Sequence, residues 1–131
     1  MVIVADTNIF LAVALDEPER PWIIESTTGH ELAAPQVLPF EIGNAIVAMG
    51  KKGKLEPTEV LTCWDAVQEI LVELRSIDSR SALNIATRFG IYAYDAYFLE
   101  CALSLRAPLL TLDRRMKRIA RELSIVVLEQ P

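Results

Sequence analysis

Four acidic side chains occupy positions where carboxylates could bind a metal ion. Asp6 directly follows the apolar run Val2–Ala5, and Asp113 directly follows a second apolar segment. Asp95 opens an apolar helical stretch, and Glu41 lies about 60° from the apolar stripe of its own helix, at the border with water. Two carboxylates ~5 Å apart repel by roughly 3 kcal/mol at an effective dielectric of about 20, and an oxygen-seeking cation such as Mg²⁺ or Mn²⁺ relieves that repulsion. The four acids therefore predict a divalent metal site, at which a bound water can become a nucleophile.

A simpler interpretation competes with a metal site, because aspartate is a favoured helix N-cap. Asp6, Asp95 and Asp113 all stand where helices are predicted to begin. Two observations favour the site. Asp6 and Asp113 both follow strands, and parallel strands place their carboxyl ends, where ligands bind, at one edge of the sheet. The chain has 18 acidic and 13 basic residues, so leaving out the four acids brings the balance to 14 against 13.

Several other chemistries lack the residues they need. His30 is the only histidine, so a His-rich zinc site cannot be built and a Ser-His-Asp mechanism would depend on that one imidazole. Cys63 and Cys101 lie far apart, as reduced thiols of a cytosolic protein do. No glycine-rich phosphate-binding motif is present. The longest apolar run, 9–15, is too short to span a bilayer and no basic signal region begins the chain, so we expect a cytoplasmic protein without a membrane segment.

The elements that would position the acids alternate between strands and helices. Near-continuous apolar strands separated by helices are typical of a parallel sheet covered on both faces. We therefore predict an α/β fold, a single three-layer α/β/α domain over 1–131 with a central, mostly parallel sheet. The predicted strands are 2–5, 31–34, 75–77, 108–112 and 125–128, and the predicted helices are 7–15, 22–27, 36–52, 79–89, 94–105 and 114–123, with one more that starts at Pro57 and carries the core stripe Val60, Trp64, Val67, Leu71 and Leu74.

The sequence around the four acids resembles a known family. Four segments resemble the PIN-domain ribonucleases, and more closely the VapC-type toxins of bacterial and archaeal toxin–antitoxin pairs. These segments are V-A-D-T-N at 4–8, P-F-E-I-G-N around Glu41, Y-D-A-Y around Asp95 and T-L-D-R-R around Asp113. The resemblance runs along the whole chain in motif order. It implies a Mg²⁺- or Mn²⁺-dependent endoribonuclease that hydrolyses RNA, is commonly a homodimer, and is held inactive by a cognate antitoxin protein.

The resemblance also implies a role for each matching residue. Asp6 and Asp95 would ligate the metal directly, and Glu41 and Asp113 would complete the acidic set through water or a second ion. Asn44 falls where a polar residue often accompanies the glutamate. The positions that would orient the carboxylates are Thr7, Asn8 and Thr111.

An acidic site needs bases nearby to hold an RNA backbone. After Asp113, the side chains of Arg114, Arg118 and Arg121 fall on one helical face that begins at the site edge, which predicts RNA contacts or, equally, a solvated basic face. The tyrosines beside Asp95 could stack on bases, although packing in the core explains them as well. These are Tyr92, Tyr94 and Tyr97.

Other functions remain open on the sequence alone. A receiver-like phosphoacceptor domain usually has adjacent acids after its first strand, and a haloacid-dehalogenase-type phosphatase has D-x-D there, whereas Asp6 is followed by Thr7 and Asn8. A housekeeping RNA-processing nuclease or a non-catalytic PIN-like binding module are further alternatives, the second disfavoured by the presence of all four acids. For a toxin, we expect apolar residues of 7–15 and 22–27, near Trp22, to line a groove for a partner helix, or else to be ordinary core.

Overall fold

A four-stranded sheet forms the centre of the molecule. The computed structural model describes residues 1–130. The strand order is β3-β2-β1-β4, and every pairing is parallel. The parallel sheet predicted from the sequence is thereby confirmed. The strands are β1 (Val2–Ala5), β2 (Glu31–Pro35), β3 (Glu73–Arg75) and β4 (Leu109–Leu110).

The helices form two groups around this sheet. The chain crosses from β1 to β2 to β3 in one direction and returns to β4 in the other, and right-handed crossovers place the connecting helices on opposite faces. No helix within residues 1–130 is long and apolar enough to cross a membrane. The first group is α1 (Thr7–Ala14), α2 (Arg20–Thr27), α3 (Leu38–Lys51) and α4 (Pro57–Gln68); α5 (Ser79–Phe89), α6 (Ala93–Leu105) and α7 (Arg114–Glu122) follow β3 and β4.

The central strand β1 explains why the first acid is buried. Ile3, Val4 and Ala5 are completely buried, since β1 has a strand on each side and helices over both faces. Val4 pairs with Ala33 of β2 and also with β4, so the strand has no free edge. The chain leaves this core at Asp6, whose backbone N–H still donates to the Leu110 carbonyl. The first acid is thus held by the sheet itself.

Four predicted elements differ clearly in the structure, and one of them is the strand predicted over 108–112, which spans only Leu109–Leu110. Helix α4 ends at Gln68, and Leu71, expected in the core stripe, is 91% exposed. The chain must leave the helix there because Glu73 and Leu74 pair with β2, and this pairing outweighs the helical periodicity. The third strand therefore spans 73–75 rather than 75–77. The predicted last strand, 125–128, is reduced to a single bridge between Leu109 and Val127.

Candidate active site

The buried carboxylate of Asp6 lies at the carboxyl end of β1 and is only 5% exposed. Its Oδ1 accepts a hydrogen bond of 2.8 Å from the Thr7 backbone N–H, and its Oδ2 accepts one of 2.7 Å from the Thr111 hydroxyl. Burial raises the pKa of Asp6 to about 6; the two hydrogen bonds oppose that rise, and the charges of Asp95 and Asp113 add to it. Asp6 is thus held as a buried anion among other acids.

Glu41 lies in the first turn of α3 and faces the same region. The Thr7 hydroxyl donates a 2.9 Å hydrogen bond to its Oε2. Burial is the main cause that raises the pKa of Glu41 to about 7, with the charges of Asp6 and Asp95 adding to it and the Thr7 bond opposing it. Thr7 therefore contacts two of the four acids, through its backbone N–H and its hydroxyl.

Asp95 is not a helix cap, in contrast to one of the two interpretations that the sequence allowed. It lies inside the first turn of α6, whose N-cap is Tyr92 and has no side-chain cap hydrogen bond. Burial first, and then the charge of Asp113, raises the pKa of Asp95, while Arg115 lowers it. Asp95 therefore makes no capping hydrogen bond, and the structural contribution left to it is the favourable interaction of a first-turn carboxylate with the helix dipole.

Asp6 and Asp113, by contrast, do cap helices. Asp6 is the N-cap of α1, and Oδ1 of Asp113 accepts bonds of 2.8 and 3.1 Å from the N–H groups of Arg115 and Met116. Capping and membership of the acidic cluster are therefore compatible at these two positions. Each of these two residues can be both a helix cap and a member of the acidic cluster.

A polar network joins the two ends of the chain beneath the acids. Asn8 accepts from the Leu112 N–H at 3.1 Å and donates to Asp6 and Thr111 at 3.4 and 3.3 Å. The Thr111 hydroxyl also accepts from the Asp113 N–H at 3.1 Å. The network thus connects the β1–α1 junction to the β4–α7 junction. All three residues expected to orient the carboxylates, Thr7, Asn8 and Thr111, make hydrogen bonds with the acids, whereas Asn44 is exposed on α3.

The basic residues of α7 divide into two sets. Arg114 and Arg118 are exposed, as expected, but Arg121 forms an ion pair with Glu129, which Lys117 also contacts at 3.1 Å. The sequence analysis missed Arg115, the base whose charge reaches Asp95. Arg115 is part of T-L-D-R-R, but helical periodicity grouped Arg114, Arg118 and Arg121 on one face that begins at the site edge, and it gives no information on the distance from Arg115 to Asp95.

Exposed aromatic side chains stand next to two of the acids in the sequence. Tyr92 is 82% exposed and Tyr94 is 48% exposed, whereas Tyr97 packs against the core and meets Tyr94 edge-on at 6.2 Å between ring centroids. Phe40, directly before Glu41, is 75% exposed and was not singled out from the sequence. The two exposed tyrosines and Phe40 are thus accessible to a ligand near the acids, and Tyr97 belongs to the core.

The acids agree in type with a divalent cation. Four oxygen-donor carboxylates without histidine or cysteine are the ligands that Mg²⁺ and Mn²⁺ prefer. Mutual repulsion contributes to the raised pKa values of Asp6, Glu41 and Asp95, and a cation would relieve it. Within residues 1–130, however, no three His, Cys, Asp or Glu side chains converge closely enough to hold an ion as they stand.

Comparison with protein families gives a decisive match. Residues 3–122 match the family model described as PIN domain, and this range contains all four acids. The chain belongs to the PIN domain family. PIN domains are typically metal-dependent nucleases. No curated protein matches the sequence.

Two solved structures share the PIN fold of this chain. PAE2754 from Pyrobaculum aerophilum superposes with a TM-score of 0.70 at 21% identity, over 91% of this chain and 84% of its own. VapBC2 from Rickettsia felis, bound to a DNA fragment from its promoter, superposes with a TM-score of 0.67 at 16% identity, over 98% of each chain. At these identities the likeness establishes the fold.

Proposed function

We propose that this PIN domain is a Mg²⁺- or Mn²⁺-dependent endoribonuclease, and that it is the toxin of a toxin–antitoxin pair. The observation that carries the nuclease is Asp95. Its half-buried carboxylate caps no helix, yet its charge acts on Asp6 and Glu41, and that of Asp113 acts on it. A shared cation would explain why four acids whose charges act on one another include one, Asp95, that caps no helix.

Each acid of the cluster has a proposed role in holding the cation. Asp6 and Asp95 would hold the cation directly, and Glu41 and Asp113 would do so through water or a second ion. When bound, the divalent cation supplies a water of lowered pKa and stabilises charge on the reacting phosphate. Thr7 and Thr111 keep the carboxylates oriented by hydrogen bonds of 2.9 Å to Glu41 and 2.7 Å to Asp6.

Single-stranded or looped RNA is the substrate that the surroundings favour. The exposed rings of Tyr92 and Tyr94 could stack on unpaired bases, which a duplex does not offer. Arg114 and Arg118, exposed on α7, would contact the backbone phosphates. Arg121 is the weaker candidate for such a contact because Glu129 already neutralises it.

The nuclease is tested by cleavage of an unstructured RNA with the purified chain, after removal of contaminating RNase. We expect cleavage with Mg²⁺ or Mn²⁺, none with EDTA, and products that carry 5′-phosphates. Asp95→Asn should abolish cleavage, and the matched variant Asp65→Asn, at an exposed acid of α4, should cleave normally. Undiminished cleavage in EDTA would refute the metal mechanism.

The toxin role rests on a second observation, an apolar cavity between α1 and α2. The cavity has a volume of about 230 Å³. Trp22 is half-buried and Ile24 is 44% exposed, so neither is fully enclosed in the isolated chain. An amphipathic antitoxin helix would place its apolar side chains there. The lining residues include Ile9, Phe10, Val13, Ile23, Ile24 and Leu32.

A housekeeping RNA-processing nuclease is the alternative within the same chemistry, and a non-catalytic binding module is the alternative outside it. The presence of a small antitoxin-like reading frame directly upstream of the gene would favour the toxin over the housekeeping nuclease. Expression of the chain alone should then arrest growth, and co-expression of that frame should relieve the arrest. Purification of the pair should give a complex, and sedimentation of the free toxin should give the expected homodimer.

A further inference from the structure

Arg115 differs from every other base of α7 in what holds it. Its Nη2 donates a 2.9 Å hydrogen bond to the backbone carbonyl of Gly90, at the turn between α5 and α6. Gly90 ends α5 in the left-handed conformation, with φ of 65°. The bond therefore ties the first turn of α7 to the turn that leads into α6 and Asp95, and it fixes a flexible side chain in place.

The Arg115 guanidinium is available to bind an anionic ligand. Within residues 1–130 no carboxylate forms an ion pair with Arg115, whereas Glu129 engages both Lys117 and Arg121. Gly90 is a neutral acceptor and uses one of the five N–H donors of the guanidinium. The other donors remain for a ligand, and a planar guanidinium presents them in the geometry that phosphate oxygens accept in pairs.

The position relative to the acids indicates which ligand this is. The backbone N–H of Arg115 donates a 2.8 Å hydrogen bond to Oδ1 of Asp113, which places Arg115 beside the acids, and its positive charge lowers the pKa of Asp95. A base that forms no ion pair within the described residues and lies at the border of the acids is what a phosphodiester needs, since the carboxylates alone would repel it. Arg114 and Arg118 are exposed like Arg115, but within residues 1–130 neither side chain donates a hydrogen bond to a backbone carbonyl as Arg115 does.

We propose that Arg115, held by the Gly90 carbonyl, binds a backbone phosphate of the RNA substrate next to the acidic cluster and sets the register of the strand there. This role rests on the proposed nuclease function, and it assigns to α7 a substrate-binding residue in addition to its exposed arginines. Arg115 positions the phosphate; the acids remain responsible for the reaction.

The experiment measures binding of a fluorescent, unstructured RNA oligonucleotide in Mn²⁺, with Asp95→Asn present in every protein so that the RNA stays intact. Adding Arg115→Gln should weaken binding about tenfold. It should also lower the slope of log Kd against log salt by about 0.7, the amount for one phosphate contact on a single strand. Arg115→Lys should restore the slope because it keeps the charge, but only part of the affinity because it loses the paired donors.

The control is Arg106→Gln, which removes the same charge from an exposed arginine after α6, at the opposite end of the sheet from the acids. It should leave affinity and slope unchanged. If Arg115→Gln changes neither quantity, or only lowers the melting temperature, Arg115 merely ties two turns together and the inference is wrong. Cleavage of RNA by the wild-type chain is assayed in parallel. If the wild type does not cleave, the nuclease proposal is wrong. If it cleaves and Arg115→Gln changes neither affinity nor slope, only the role of Arg115 is refuted.

Discussion

The Thr111 hydroxyl donates a 2.7 Å hydrogen bond to Oδ2 of Asp6, although the two residues are 105 positions apart in the chain. Thr111 is completely buried, and it also accepts from the Asp113 N–H. One hydroxyl therefore contacts both the first acid and the backbone of the last. The bond opposes the cost of burying the Asp6 charge, so Thr111 keeps this carboxylate closer to its ionised, metal-binding form than burial alone would allow.

Replacement of this hydroxyl tests its role. Thr111→Val keeps the side-chain shape and removes the donor, so we expect the pKa of Asp6 to rise above about 6 and the chain to lose roughly 1–3 kcal/mol of stability. Cleavage should consequently begin at higher pH than in the wild type. Urea unfolding and a pH–rate profile measure the two effects. The control Thr62→Val, at an exposed threonine of α4 that bonds only within its helix, should shift neither.

Removal of the Asp95 charge separates repulsion from structural support. Asp95→Asn should stabilise the metal-free protein, because it relieves repulsion with Asp113 and removes no cap. Thermal melts with EDTA and with millimolar Mn²⁺ measure both states. For the wild type, metal at 100 times its Kd should add roughly 2.7 kcal/mol, and the variant should lose this gain. A variant that keeps the full gain would show that Asp95 is not a ligand.

The raised pKa values predict an unusual pH dependence for the metal-free protein. Asp6 and Glu41 titrate at about 6 and about 7 when folded, above their ordinary 3.8 and 4.5, so the folded state holds more protons between these limits. The stability that these two groups contribute is therefore fully present below pH ~4. The Asp6 part, roughly 3 kcal/mol, is lost as the pH rises through about 6, and the Glu41 part as it rises through about 7. Unfolding of the wild type and of Asp6→Asn between pH 4 and 8 measures this loss, since the variant should lack the Asp6 part.

Metal should reverse that dependence. Cations bind the deprotonated carboxylates, so the stabilisation by Mg²⁺ should grow from pH 5 to pH 8 as Asp6 and Glu41 lose their protons. Melting temperatures with and without Mg²⁺ at each pH give the difference directly. A stabilisation that is equal at pH 5 and pH 8 would mean that neither group binds the ion.

The more exposed of the two surface tyrosines, Tyr92, should contribute to RNA affinity alone. Tyr92→Ala should weaken binding of an unstructured RNA by about 1–3 kcal/mol, the range for one base stacked on an aromatic ring. Stability should hardly change, because the ring is 82% exposed. Leu71→Ala, at a leucine that is 91% exposed, removes a comparable apolar surface and should leave binding unchanged. Equal binding by all three proteins would exclude stacking on Tyr92.

The sequence by itself determined the fold class and proposed the acids. The apolar run Val2–Ala5, which ends at Asp6, and the alternation of strands and helices predicted a parallel α/β sheet, with Asp6 and Asp113 at one of its edges. These features are local, because strand burial and capping depend on neighbours along the chain. Element boundaries were less well predicted. At Leu71 and Leu74, pairing of β3 with β2 overrode a helical period that continued without a break.

Only the structure showed that Asp95 caps no helix and that Arg115 is the base beside it. Asp95 has the sequence setting of an N-cap, but the chain reaches α6 in such a way that Tyr92 takes that position. Arg115 is one of several arginines in T-L-D-R-R and α7, and its hydrogen bond to Gly90 crosses 25 positions of chain. Such contacts depend on how distant segments pack, and no periodicity along the sequence encodes the distance between them.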